Sequence, residues 1–310
     1  MASAARFSIY PLSFVVAGPA TKSFTQISSV SVSPNSTKTT IIPGGTIDPE
    51  VHILSHADPQ VSFSTRDLTT LFTEISPTSG IALAGAATFR YQERTDLGTF
   101  EGAAVATHET ITGTGGFIFP TTLSAQQDAV EGVVSNCTYV PLFDGTTNPL
   151  MHNTGVAINA VTPGFVTQYY MGPVYINDVE VEGIQSWNID FGINFVAKRT
   201  QGSPYSMKGA IITRNPVVSF TTLKIDEGGG HGMFARLLGG TLDFYCAKGV
   251  NSGARAAYGA DNNHIRLRWT SGDWEHDEVT VSDNDDATVT FTARPTSTVA
   301  VDITSDIPQP

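Results

Sequence analysis

Slid against itself by 157 residues without a gap, this 310-residue chain repeats its own pattern. Ile27 and Ser29 fall on Ile184 and Ser186, and Gly45 falls on Gly202. The block from Asp58 to Thr65 falls on the block from Asn215 to Thr222, with Pro59, Val61, Ser62 and Phe63 matched by Pro216, Val218, Ser219 and Phe220. Eight of the 39 positions from 27 to 65 are identical, and five more pairs, such as Val32 with Ile189, are conservative. With small gaps, Thr88-Phe-Arg-Tyr aligns with Thr241-Leu-Asp-Phe, and Asn136-Cys-Thr-Tyr-Val-Pro with Thr290-Phe-Thr-Ala-Arg-Pro. Charge divides the same way: residues 1–157 hold six basic and 12 acidic side chains, residues 158–310 hold 11 and 17, and each half is −6. A repeat of about 150 residues has the size of an ordinary domain, so it implies two copies of one fold and not a solenoid, whose repeats are far shorter. The expected domains are 1–155 and 156–310, with a seam in the turn-rich passage from Asp144–Pro149 to about Pro163.

Within each copy the hydrophobic pattern has period two, which marks strands. Val174, Ile176, Val179 and Val181 lead on to Trp187 and Ile189, and Ile265, Leu267 and Trp269 alternate with Arg266 and Arg268. Threonine supplies β-branched outward positions in the run Thr288 to Thr292. Arg6, the stretch Phe7 to Ala17 and Gly18-Pro19-Ala20 outline a secretory signal, but Tyr10, Pro11 and Ser13 interrupt it. Leu12, Phe14 and Val16 alternate and read as a first strand instead. The best helical signal is Leu68, Leu71, Phe72 and Ile75, with Thr65 as the expected N-cap. The fold class is therefore mainly β: two tandem, similar antiparallel β-sandwich or half-barrel domains, each with a short helix.

Composition removes several function classes. A net charge of −12 argues against a surface that grips nucleic acid or anionic lipid, and no apolar run has the length of a membrane helix. Two cysteines, Cys137 and Cys246, exclude a disulfide scaffold and read as buried side chains in strands. His52 and His56 lack the glutamate and helix of a zinc protease site. Trp274-Glu-His-Asp-Glu278 reads as a solvated loop, and Asp283-Asn-Asp-Asp286 lacks the glycine and closing glutamate of a calcium loop. Gly228 to Gly232 has no Lys-Ser/Thr after it and no βαβ context, so it reads as a loop. No catalytic template, metal site or cofactor site is met, and a non-enzymatic, self-assembling role is expected.

The residues carry one resemblance. A strand, an exposed segment containing Pro43-Gly44-Gly45, and Pro59-Gln-Val-Ser-Phe-Ser-Thr-Arg-Asp-Leu68 entering a short helix resemble phage tail tube proteins of long-tailed phages. The second copy repeats the strand, the segment around Arg199 to Pro204 and Pro216-Val-Val-Ser-Phe-Thr-Thr222. It departs by placing Leu223-Lys224 where the first has Arg66-Asp67, and by inserting Gly228–Gly232. The resemblance implies sandwich or half-barrel domains whose inner sheets join into one barrel around a channel, six domains to a ring, with rings stacked along the tail. A duplicated chain implies three copies per ring. It also implies a virion location after assembly in the host cytoplasm, tape-measure, terminator and baseplate partners, and passage of double-stranded DNA without specific binding or a membrane.

The inter-subunit segments expected from this reading are the exposed stretches at Asn35, Ser36, Thr37, Lys38, Gly44 and Gly45, and at Lys198, Arg199, Gln201 and Gly202. Arg90, Arg214, Arg266 and Arg268 are expected to pair with carboxylates or face domain interfaces. Rival readings are another virion ring or decoration protein, such as a tail terminator or baseplate hub, and a secreted carbohydrate-binding tandem β-sandwich using Trp187, Trp269 and Trp274.

Overall fold

The computed structural model describes residues 6–18, 20–42, 51–94, 99–129, 132–158, 167–200, 202–223, 237–238, 240–249, 256, 259–280 and 288–308. The protein is mainly β, built from antiparallel sheets in a sandwich-type arrangement, with one short helix among the described residues.

The first half contributes a five-stranded sheet from β1 (Arg6–Val15), β2 (Thr21–Phe24), β8 (Ala87–Arg94), β9 (His108–Gly113) and β12 (Leu150–Val156), in the order β12-β9-β8-β1-β2. The second half contributes β13 (Tyr169–Ile176), β14 (Val179–Val181), β20 (Leu242–Lys248), β21 (Gly259–Trp269) and β24 (Ala300–Ile307), in the corresponding order β24-β21-β20-β13-β14. Proline marks the same irregularity in both. Pro11 lies in the register shift between Tyr10 and Ser13, Pro173 in that between Met171 and Val174. A bulge is where a residue without an N–H fits an otherwise paired strand.

The other strands of the two halves form one sheet of ten. The first half gives β3 (Ile27–Ser33), β6 (Gln60–Thr65), β7 (Ile81–Leu83), β10 (Gly116–Gln126) and β11 (Val134–Val140). The second gives β15 (Ile184–Asp190), β18 (Val217–Thr222), β19 (Leu237–Leu238), β22 (Gly272–Thr280) and β23 (Thr288–Pro295). The order β3-β6-β11-β10 continues directly into β15-β18-β23-β22, because β10 and β15 pair from Thr122 with Asp190 to Gln126 with Ser186. Two further hairpins leave this sheet as arms: β4 (Ser36–Ile41) with β5 (Val51–Ala57), and β16 (Ile193–Arg199) with β17 (Ser206–Arg214).

Apolar residues on one side of the large sheet meet the five-stranded sheets. In the first half Phe24, Phe63, Phe89 and Tyr139 follow one another at centroid distances of 5.8, 5.5 and 6.1 Å. In the second, Phe244 touches Trp187, Phe220 and Trp269 at 5.6, 6.2 and 6.1 Å. Phe63 and Phe220 are both buried on corresponding strands, β6 and β18. His108 and His264 are fully buried in β9 and β21, and the Nδ1 of each accepts a backbone N–H, from Glu93 and Lys248 at 3.0 Å.

Four sequence readings change. The helix α1 (Leu68–Glu74) is capped by Asp67, whose carboxylate accepts from Thr70 N at 3.2 Å, and not by Thr65. Thr65 is still in β6, where its hydroxyl accepts from Asp67 N and donates to Gln26 O. Trp274 to Glu278 is not a loop but the middle of β22, because backbone pairing with β23 is indifferent to the charge of that stretch. The alignment of Thr88 with Thr241 is offset by two residues: strand pairing sets Phe89 beside Ile111 and, correspondingly, Phe244 beside Leu267. A two-residue slip keeps every inward residue inward, so alternation alone does not detect it. The fourth change is the segment from Asn35, read only as an exposed stretch, which is paired as a strand of an arm as far as Ile41. The counterpart of α1 in the second half, with Gly228–Gly232 and Asp283–Asp286, lies outside the described residues.

Candidate functional site

On seven strands of the ten-stranded sheet, the side away from the core is carpeted with hydroxyls and amides. Strand alternation sends Ser29 and Ser31, Ser62 and Ser64, Asn136 and Thr138, Thr122 and Ser124, Ser186 and Asn188, Ser219 and Thr221, and Thr290 and Thr292 to this side. Their neighbours, among them Phe63, Cys137, Leu123, Trp187 and Phe220, are buried. Asp190 and Arg294 are the charges that the described outward positions of these seven strands carry. The hydroxyls satisfy one another across strands. Ser29 donates to Ser64 at 2.8 Å, Ser64 to Asn136 Oδ1 at 2.7 Å, and Asn136 Nδ2 to Thr122 at 2.8 Å. In the second half Thr221 and Thr290 are 3.3 Å apart. Over the β10–β15 join the surface sinks into a cleft of about 550 Å³ bordered by Ser124, Gln126, Ser186, Asn188 and Thr221.

Both arms leave the sheet through the same turn. Asn35 has φ of 39° and its carbonyl accepts from Asp58 N; Gly192 has φ of 59° and its carbonyl accepts from Asn215 N. At Gly192 a Cβ would stand 2.0 Å from Asn215 O, so glycine is required there, while asparagine tolerates the left-handed region at 35. The second arm is held down on the first half. Phe195 packs on Phe117 and Phe119 at 5.1 and 5.7 Å. Beyond it Ala57 N donates to Pro204 O, Phe143 N donates to Ser206 O, Ser206 Oγ donates to Asp58 at 2.5 Å, and Tyr205 lies against Phe143. The first arm instead shows Ile41, Val51 and Ile53 to solvent.

Of the expected inter-subunit residues, Asn35 forms the turn and Ser36, Thr37 and Lys38 lie exposed on β4. Lys198 and Arg199 end β16, and Gly202 follows at φ of 70° in open space. Gly44, Gly45 and Gln201 lie outside the described residues. Of the four arginines expected to pair with carboxylates or face domain interfaces, two meet carboxylates. Arg266 meets Asp302 at 3.4 Å, and Arg268 meets Asp243 at 2.5 Å and Asp178 at 3.1 Å. Arg90 is buried and, among the described residues, donates to Ser13 Oγ, Pro11 O and Thr88 O, and burial lowers its pKa. Arg214 closes β17 beside a cavity of about 320 Å³.

His52 and His56 pair with Thr40 and Thr37 on the exposed arm, at 2.9 and 3.0 Å. Burial pushes the Cys137 thiol up to about 12, and Cys246 further in the same direction. Among the described residues no three His, Cys, Asp or Glu side chains converge as metal ligands, and no helix is long and apolar enough to cross a membrane. The hydroxyl face was visible in sequence as serine and threonine at alternate positions. Which strands lie side by side was not. Compared with protein-family models and with curated proteins, the chain matches none.

Proposed function

We propose that this is a structural virion protein, three copies of which close into a ring of six similar units that stack into a DNA-conducting phage tail tube. The observation that carries the reading is the β10–β15 join, which fuses the two halves into one sheet. The same two edges recur, unpaired in the described residues, at the sheet's ends. β3 corresponds to β15, and the 278–280 end of β22 corresponds to the stretch of β10 that meets β15. Val32 on β3 is 38% exposed, whereas Ile189, in the corresponding place on β15 and paired there with Leu123, is fully buried. Repeating the join between copies would set Val279 beside Val32 as Leu123 stands beside Ile189. A head-to-tail contact of this kind gives a ring when its rotation closes, and closure removes the sheet edge that otherwise invites aggregation.

The hydroxyl face supports the conduit part of the reading. Phosphate contacts from Lys and Arg strengthen binding of DNA one by one and would oppose sliding. A wall whose polar groups bond one another offers few such contacts. Tape-measure, terminator and baseplate proteins are the partners that go with this role, and no cofactor does. Negative-stain microscopy of concentrated protein tests the proposal: stacked rings with an open channel are the expected result, and a chain that stays monomeric at every concentration overturns it.

A further inference from the structure

The second arm is a worked example, within one chain, of how an arm seats on the neighbouring unit, and the first arm has the same build with different chemistry. Phe195 pairs with Ile211 just after a register shift in β16; Lys38 pairs with Leu54 just after the corresponding shift in β4. Lys38 therefore takes the place of Phe195, and it is exposed. The receiving strand can be matched in the same way. β10 shifts register between Pro120 and Thr122, and β22 between His276 and Glu278. Phe117 stands beside Val140 and Phe119 beside Thr138, while Asp273 stands beside Arg294 and Glu275 beside Thr292. Asp273 and Glu275 thus hold the register places of Phe117 and Phe119.

Within the chain, then, an aromatic side chain sits on two aromatics. At the corresponding register places between chains, one cation, Lys38, is matched with two acids, Asp273 and Glu275. The seat itself is open. In the first half Asp58, Ala57 and Phe143 hold the chain from Pro204 to Ser206. The corresponding residues of the second half, Arg214, Asn215 and Ser297, border the empty cavity of about 320 Å³.

We infer that the β4–β5 arm of one copy docks on the second half of the next copy, with Lys38 paired to Asp273 and Glu275. Both the internal seat and the complementary charge identify the occupant as a second copy of this chain. The pairing makes each contact between chains electrostatic where the contact inside the chain is apolar. Joined halves never separate, whereas chains must find each other in solution, and charge speeds and orients that encounter.

This inference rests on the ring reading, and the test separates the two. Rings are assayed by sedimentation and negative-stain microscopy, with circular dichroism as the check on folding. Lys38→Glu, on an exposed arm, stays folded and raises the concentration needed for rings at least tenfold. The charge swap, Lys38→Glu with Asp273→Lys and Glu275→Lys, brings it back to within about threefold of the unaltered chain. In about 1 M salt, where the screening length is about 3 Å, the unaltered chain and Lys38→Glu converge. Rings that form normally with Lys38→Glu remove this inference and leave the ring reading standing. A folded charge-swap variant that stays unassembled also removes it. An unaltered chain that forms no rings overturns both.

Discussion

Cys137 and Cys246 show how a residue can be chemically informative without being a site. Both are fully buried in strands, Cys137 in β11 and Cys246 in β20. Burial raises the Cys137 thiol from the ordinary 9.0 to about 12 and raises Cys246 as well. In the unfolded chain each ionises near pH 9, so above that pH the unfolded state loses protons that the folded state keeps. Their contribution to stability is fully present below about pH 9 and is lost as pH rises toward about 12. Each thiol then costs about 1.4 kcal/mol per pH unit across that window. Urea midpoints measured from pH 8 to 11 should fall steeply, and Cys137→Ala/Cys246→Ala should flatten the fall even if its midpoint at pH 8 is lower. An unchanged slope in the double variant contradicts the assignment.

Among the elements, the helix shows where local chemistry decides. Asp67 is buried, caps Thr70 N and also receives the amide and hydroxyl of Thr25, both at 3.4 Å. Asp67→Ala removes the cap and strands these donors, so it should cost about 2 kcal/mol, read as a lower urea midpoint. Asp67→Asn, which keeps an acceptor oxygen, should recover half or more of that, and equal losses for the two variants would contradict the capping role. The strands were legible in the sequence because alternation is local: Leu12, Phe14, Trp187 and Ile189 are inward as read. The helix was legible too, apart from its cap: Thr65 is still paired in β6, and Asp67, the better capping residue, stands directly before the helix. The join was not legible. Ala125 and Trp187 are 62 positions apart, and nothing in either strand names its neighbour. For the same reason Lys38 and Lys198 looked alike as exposed cations, although Lys38 occupies the place of Phe195 and Lys198 continues outward along β16 toward Gly202.

At the scale of the whole molecule, the large sheet carries at its ends two stretches, β3 and residues 278–280 of β22, whose outer edges are unpaired among the described residues and correspond to the two edges joined at its internal seam. The −12 charge is not spread evenly over it: the described outward positions of seven strands carry one acid and one base. Each half nevertheless keeps the −6 that the sequence assigns it, most of it therefore elsewhere on the chain. In a three-copy ring this near-neutral stretch of seven strands would recur three times, once in each copy. Cysteine pairing at the join tests this most directly. Ser31 and Thr280 hold the register places of Asn188 and Ser124, which face each other across β15 and β10. Ser31→Cys/Thr280→Cys protein is oxidised after assembly and run without reductant, the buried Cys137 and Cys246 staying inert. A dominant product of three chains, absent when either cysteine is omitted, is the expected result. Monomer alone, or a ladder that runs on past three chains, would contradict the closed ring.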